Sequence, residues 1–263
     1  MKLASVQQRM GASIAPNLHE IRTRVAEAHD ADAELVIFPE LALTGFHRGL
    51  RAVAERAPIE AEVGALHGDL PVPVLLGTPW WVGDHPVNAL VALGPWVDDA
   101  PQVAGKIGLT TSEATFFVPA SERAVLRVAG FRIGVVFCRE VEDLDDVVAD
   151  FEGRVDLLVW PSFLTWHGDE ADYEARPAEL ARRVGVPLVQ CNWPHSHNDP
   201  TTRGMGGSRA FDRTGTLVAR GAEDEPGILF VDLSGRQGNR ARVGHVPGSG
   251  GPGVVDDRER AGG

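Results

Sequence analysis

Lysine is almost missing from this chain. Its 263 residues include 25 basic side chains, yet only Lys2 and Lys106 are lysine and the other 23 are Arg. Cysteine is equally sparse: Cys138 and Cys191 are the only two, too few for the disulfide framework of a small secreted domain. No apolar run approaches the ~18 residues of a membrane span. The stretch from Met1 to Arg9 lacks the long apolar h-region of a signal peptide. Basic charge is in deficit too. The net charge is −12, so no nucleic acid and no membrane is expected as a partner, because there is no basic excess to neutralise phosphates. These absences predict a reduced, soluble, cytoplasmic protein.

What is present is ordinary for a globular chain: 43% hydrophobic and 24% charged residues argue against disorder. The length suits one large α/β domain or two small ones. The chain is rich in Ala, Arg, Gly and Val, and Arg serves almost any surface role, so a mid-chain Lys is conspicuous. Composition alone leaves chance survival open.

Short apolar runs alternate with longer amphipathic segments. Residues 3–7 read as a first strand and 17–31 as a helix, with Leu18, Ile21, Val25 and Ala28 on one face. Residues 34–38 read as a buried strand ending at Pro39-Glu40. Residues 74–81 and 88–93 read as a hairpin joined by Gly83-Asp84-His85-Pro86, and 124–128 with 132–137 as another, turning at Ala129-Gly130. Helices are expected over 141–151 and 173–184, and strands over 156–160, 186–191, 208–211, 217–220 and 228–232. Roughly ten strands and four or five helices predict an α/β protein, with a mixed sheet or two packed sheets covered by helices. Residues 1–234 read as one domain. From about Gly235 the chain turns Gly-rich and charged, so 235–263 reads as a tail that is flexible or wraps a partner subunit.

Three strings end apolar runs in a reactive side chain. In Phe38-Pro39-Glu40, a carboxyl placed directly after a buried strand has a raised pKa and suits general acid–base work. In Gly105-Lys106-Ile107, an amine in a dry pocket can stabilise an oxyanion. In Gly134-Val135-Val136-Phe137-Cys138-Arg139, a strand runs into a helix pattern, an elbow that lifts a nucleophile above a sheet. The helix N-terminus and Arg139 are expected to lower the thiol pKa. Each string also has a plainer reading: a solvated Glu, a surface Lys and a small core Cys.

Taken in order, Glu40, Lys106 and Cys138 resemble the carbon–nitrogen hydrolase (nitrilase) superfamily, in its amidase-like branch. The resemblance starts at the Gln7 strand and takes in Pro39-Glu40-Leu41, Thr44-Gly45, Lys106-Ile107, Glu113 and Phe116-Phe117. It continues through Gly134 to Cys138, Trp160-Pro161, Gly206-Gly207-Ser208 and Asp212-Arg213-Thr214-Gly215. It implies a four-layer α-β-β-α sandwich that forms a homodimer or higher homo-oligomer. It also implies cleavage of a non-peptide C–N bond in a small-molecule amide, with no metal or organic cofactor. Glu40 would be the base, Cys138 the nucleophile, and Lys106 with the Arg139 N–H the oxyanion donors; Glu113 matches a second glutamate that orients the Lys or the substrate.

The match departs after the Cys. There the family has an aromatic or acidic residue and then an Arg and a Pro-Glu, where this chain has Arg139-Glu140-Val141-Glu142-Asp143. Glu140, Glu142 and Asp143 are expected to favour the helix N-terminus rather than contact substrate. Arg139 and Trp160 are the candidate substrate-binding residues. Trp80, Trp81 and Trp166 are further candidate pocket walls, with core packing the alternative for each. Short loops predict an open pocket that favours a bulky amide over a small nitrile.

The rivals are weaker. Gly206-Gly207-Ser208 lacks the strand that precedes a serine elbow. His195 and His197 have no further metal ligands at matching spacing. Cys191 reads as structural. A catalytically inactive binding or assembly subunit and an amide-forming acyltransferase on the same fold stay as alternatives.

Overall fold

The computed structural model describes residues 1–46, 49–97, 102–165, 170–194, 204–223, 225–233 and 245–247. In chain order the elements begin with β1 (Lys2–Gln7), α1 (Ile14–Asp30), β2 (Leu35–Ile37), α2 (Leu50–Val53), α3 (Arg56–Asp69), β3 (Val74–Val82), β4 (His85–Leu93) and β5 (Gln102–Gly105). There follow β6 (Val125–Val128), β7 (Phe131–Val135), α4 (Leu144–Phe151), β8 (Leu157–Ser162), α5 (Glu170–Val184) and β9 (Leu188–Asn192). β10 (Arg209–Phe211), β11 (Leu217–Arg220), β12 (Gly227–Asp232) and β13 (His245–Pro247) complete the order. No helix among the described residues is long and apolar enough to cross a membrane.

The strands form two mixed sheets, ordered β13-β12-β1-β2-β3-β4-β5 and β11-β10-β9-β8-β7-β6. Each has a parallel centre, β1-β2-β3 in one and β7-β8-β9 in the other, flanked by antiparallel strands. The central strands read as unbroken apolar runs because both of their faces are buried. In β2, Leu35 and Ile37 point into the core between the sheets, with Leu75, Ile133, Val159 and Cys191. Val36, one residue out of phase, points to the opposite face, where α1 and α3 cover it with Ile21, Val25, Ile59 and Val63. On the far side of the second sheet, Val147 and Phe151 of α4 and Leu180 and Val184 of α5 pack on Leu158 and Leu188. The result is the four-layer α-β-β-α sandwich that the resemblance implied. Burying each large aliphatic side chain in these layers is worth ~1.5–3 kcal/mol.

Several local expectations change. The helix expected over 141–151 is broken: a single 3₁₀ stretch, Cys138–Glu142, precedes α4. The first hairpin turns on Gly83 and Asp84 alone, since His85 already pairs with Val82. The second turns on Ala129 (φ 50°) and Gly130 (φ 81°), the paired positive dihedrals of a tight hairpin. α3 was not expected, although Ile59, Val63 and Leu66 carry helical spacing. β13 lies in the segment read as a tail, and the rest of that tail is outside the described residues, as are His195, His197 and Trp166. Trp80 and Trp81 pack against the core beneath α1 and α3. Ser208 is fully buried, with its Oγ accepting the Asn192 N–H at 3.0 Å, which leaves it no serine-elbow geometry.

Candidate active site

β2 and β7 are central parallel strands, and the chain leaves the carboxyl end of each carrying a candidate side chain, where open α/β sheets place their sites. After β2 it turns sharply at Glu40, and Leu41 adopts φ 54°. The turn lies directly on Gly77 of β3. A Cβ there would stand 2.0 Å from the Pro39 carbonyl oxygen and 2.7 Å from the Leu41 nitrogen, so only glycine lets the turn seat. The Leu43 N–H donates to the Gly77 carbonyl at 3.0 Å, and the Trp193 indole N–H to the Glu40 carbonyl at 2.7 Å.

Lys106 follows β5, with its N–H on the Asn88 carbonyl at 2.8 Å and its carbonyl accepting from Ala120 at 2.9 Å. Cys138 follows β7 with φ 42°. A non-glycine residue held there costs ~1–3 kcal/mol, which the surroundings must offset. The Trp160 indole N–H contributes by donating to the Cys138 carbonyl at 2.7 Å. The first bond of the 3₁₀ stretch runs from Glu140 N–H to Phe137 carbonyl, which leaves the Arg139 N–H outside the ladder.

The side chains converge. The Lys106 ammonium donates to Glu40 Oε1 at 2.7 Å and to Glu113 Oε1 at 2.6 Å. Lys106 is 1% exposed and Glu40 0%. Asn88 bridges the same two carboxylates through Nδ2, at 2.8 Å to Glu40 and 3.1 Å to Glu113. Glu113 is anchored by Thr110, whose N–H donates to Oε2 at 2.8 Å. Glu40 Oε2 is buried with no hydrogen-bond partner among the described residues.

Charge and burial then set the protonation states. Burial raises the Glu40 carboxyl to about 7, against the pull of Lys106 and with help from Glu113. Burial alone would lower Lys106, but Glu40, Cys138 and Glu113 together hold it above its ordinary value. Burial would likewise raise Glu113, but Lys106 and Thr110 hold it below the usual carboxylate range. Burial pushes the Cys138 thiol up to about 12, Glu40 adding to the rise and Lys106 opposing it. The expected lowering by Arg139 and a helix terminus is not found. The Arg139 guanidinium is exposed and paired with Glu142 at 3.1 Å, and the helix is one short 3₁₀ turn.

A cavity of about 860 Å³ opens above these groups. Lys106, Glu113 and Cys138 line its reactive end, and Phe46, Phe163 and Tyr173 form an apolar wall. Arg139 and Trp160 also line it, so both candidate substrate-binding residues border the space, Trp160 with its N–H already committed to the Cys138 carbonyl. Glu140 does not border it. Its side chain accepts from the backbone N–H groups of Ile107, Gly108 and Phe137. Sequence reasoning missed Asn88; its one signal was a polar residue within the apolar run from Pro86 to Leu93.

Comparison with known proteins settles the family. The family model for carbon-nitrogen hydrolases matches residues 2–242. The chain belongs to the carbon-nitrogen hydrolase family. A protein named as a hydrolase from Mycobacterium tuberculosis is 30% identical over 151 residues, covering 54% of this chain and 53% of the relative. This member of the family thus spans about half the length of the first curated relatives it matches. A glutamine-dependent NAD(+) synthetase from Xylella fastidiosa is 28% identical over 68% of this chain and 35% of its own. Among solved structures, an amidase from Nesterenkonia has TM-score 0.76 at 24% identity, with 89% and 90% of the two chains covered. A glutamine-dependent NAD+ synthetase from Acinetobacter baumannii has TM-score 0.76 at 19% identity, over 88% and 45%. Both share the fold of this carbon-nitrogen hydrolase.

Proposed function

We propose that this chain is a cofactor-independent amidase that works through a Cys138 thioester. The observation that carries the reading is the buried cluster of Glu40, Lys106 and Glu113, of which Lys106 and Glu113 line the same cavity as Cys138 while Glu40 lies behind them, out of the cavity wall. A thiol near 12 beside a carboxyl near 7 does not ionise in advance. Its proton passes to Glu40, whose Oε2 has no other partner, as the sulfur bonds to the amide carbonyl carbon. The oxyanion is held by the third N–H of the Lys106 ammonium, two being used on carboxylates, and by the Arg139 backbone N–H. Glu40 returns the proton to the leaving nitrogen, the C–N bond breaks, and ammonia or an amine departs. Water then attacks the thioester and gives a proton to Glu40. The C–S bond breaks, the acid leaves, and the proton returns to Cys138.

The roomy cavity and its apolar wall favour an amide with a substantial acyl part over a small nitrile. The likeness to glutamine-dependent synthetases favours a second reading, in which the released ammonia feeds a partner enzyme. We also take the protein to be a cytoplasmic homodimer or higher homo-oligomer in which residues 1–234 are the catalytic unit, assemblies that light scattering would count.

The test is kcat/KM over a panel of amides beside a small nitrile, with intact-mass detection of the acyl adduct on the protein. Turnover of an amide, an adduct that maps to Cys138, and its loss in Cys138→Ala are expected. Near-normal hydrolysis by Cys138→Ser would end the thioester mechanism, and a preference for the nitrile would end the amide assignment. A chain inactive on every amide with an inert Cys138 would be an assembly subunit. Partition of the acyl group to added amines would mark an acyltransferase.

A further inference from the structure

Lys106 and Cys138 come from different sheets: β5 ends the first and β7 lies in the second, and among the described residues no ladder joins them. Something else must hold the cation at a set distance from the sulfur. The Glu140 side chain is 2% exposed. Its Oε1 accepts the N–H groups of Ile107 at 2.7 Å and Gly108 at 2.8 Å, the two residues directly after Lys106. Its Oε2 accepts the N–H of Phe137 at 3.0 Å, the residue directly before Cys138. We propose that Glu140 is a positioning residue, whose carboxylate pins the loop carrying Lys106 to the elbow carrying Cys138. The residue does not border the cavity and acts through the two that do.

The local chemistry fits that task. Bonds from backbone N–H groups to a carboxylate are short and strong, and three donors on one group leave little play. An amide would not replace it, since it carries N–H groups of its own and would turn one of them towards a backbone N–H. Gly108 lies against the same stem. A Cβ there would stand 3.1 Å from Glu140 Cγ, close enough to push that stem aside by a few tenths of an ångström. The bond also steadies the left-handed Cys138, because Phe137 is held on the near side of that strained residue.

The inference rests on the catalytic reading above, but it can be tested without a substrate. In Glu140→Gln, Lys106 drifts from Cys138, and the sulfur loses the cation that favours its thiolate. Iodoacetamide labelling of Cys138 at fixed pH is therefore expected to slow about 10-fold, mapped by mass against the buried Cys191. A role confined to stability predicts the reverse, because a loosened fold exposes the sulfur and labels faster. On the best amide, kcat is expected to fall ~10- to 100-fold with KM within about twofold, as for a small misplacement of reacting groups. Gly108→Ala, which presses on the same stem without altering any charge, should slow labelling in the same direction. Labelling at or above the wild-type rate in folded Glu140→Gln overturns the inference. If that variant does not fold, an unchanged rate in Gly108→Ala overturns it. A wild type inactive on every amide would sink the catalytic reading and leave the labelling comparison standing.

Discussion

Replacing Lys106 by Arg puts the proposed chemistry at most risk, because Arg is the residue this chain uses almost everywhere else. The ammonium is 1% exposed and donates at 2.7 Å and 2.6 Å to one oxygen of each of two carboxylates. Arginine keeps the charge, so Lys106→Arg avoids the ~3–5 kcal/mol that follows when a buried ion loses its partner. It still has to fit a planar guanidinium into a packed space shaped for a compact ammonium, at a cost of ~1–3 kcal/mol. Lys106→Met calibrates the other limit, since it leaves Glu40 and Glu113 facing one another without a cation and should cost the full ~3–5 kcal/mol. In activity the two variants converge. Methionine has no N–H to offer, and the larger planar guanidinium cannot seat an N–H where the ammonium's third one pointed; losing one such donor lowers kcat by ~10²–10³-fold. Urea unfolding checks the first pair of values and amide turnover the second. A Lys106→Arg enzyme within threefold of wild type, at wild-type stability, would refute the reasoning and make the lysine an accident of composition.

Three further outcomes are expected. Glu40 must be unprotonated to take the thiol proton, and its carboxyl sits at about 7, so kcat/KM should rise with pH through a midpoint near that value; Glu40→Gln should remove the limb along with ~10³-fold or more of the rate. In Asn88→Ala, Glu40 loses a hydrogen bond that favours its charged form, so the acidic limb should move to higher pH; an unmoved limb in an enzyme of reduced rate would mean that Asn88 acts on substrate instead. Gly77→Ala drives a methyl into the Pro39 carbonyl and should cost ~3 kcal/mol or more, measured as a fall in the urea midpoint.

The parts of the site that were legible in the sequence are those where local pattern and chemistry coincide. Glu40 and Cys138 each stand just past a short apolar run, and a run buried on both faces announces a central strand whose end opens onto a pocket. The turn at Ala129-Gly130 was legible because Gly130 takes its φ of 81° without steric cost, a property of that residue alone. Other features left no such trace. α3 carries Ile59, Val63 and Leu66 in a segment diluted by Pro58, Gly64 and Gly68, and its apolar stripe is narrow. Asn88 is one polar residue within β4, and only the register that sets it beside Pro79 and under Glu40 gives it two carboxylates to bridge. Glu140 reads locally as an acid in a helix first turn. Its main partners are 32 and 33 residues away, across the boundary between the sheets.

The amino-acid sequence by itself determined the alternation of strands and helices, the family, and the order in which a carboxylate, an amine and a thiol end their runs. These are properties of residue type and spacing, and they persist in the unfolded chain. Only the tertiary structure decided the protonation of those groups. The sequence places Arg139 beside the thiol and predicts a lowered pKa, whereas in the fold the guanidinium turns to Glu142 and burial takes the thiol the other way. Desolvation depends on what surrounds a group in space, and in Coulomb's law the neighbours that count are near in distance rather than in sequence. For Cys138 those neighbours are Glu40 and Lys106, brought in from the opposite sheet.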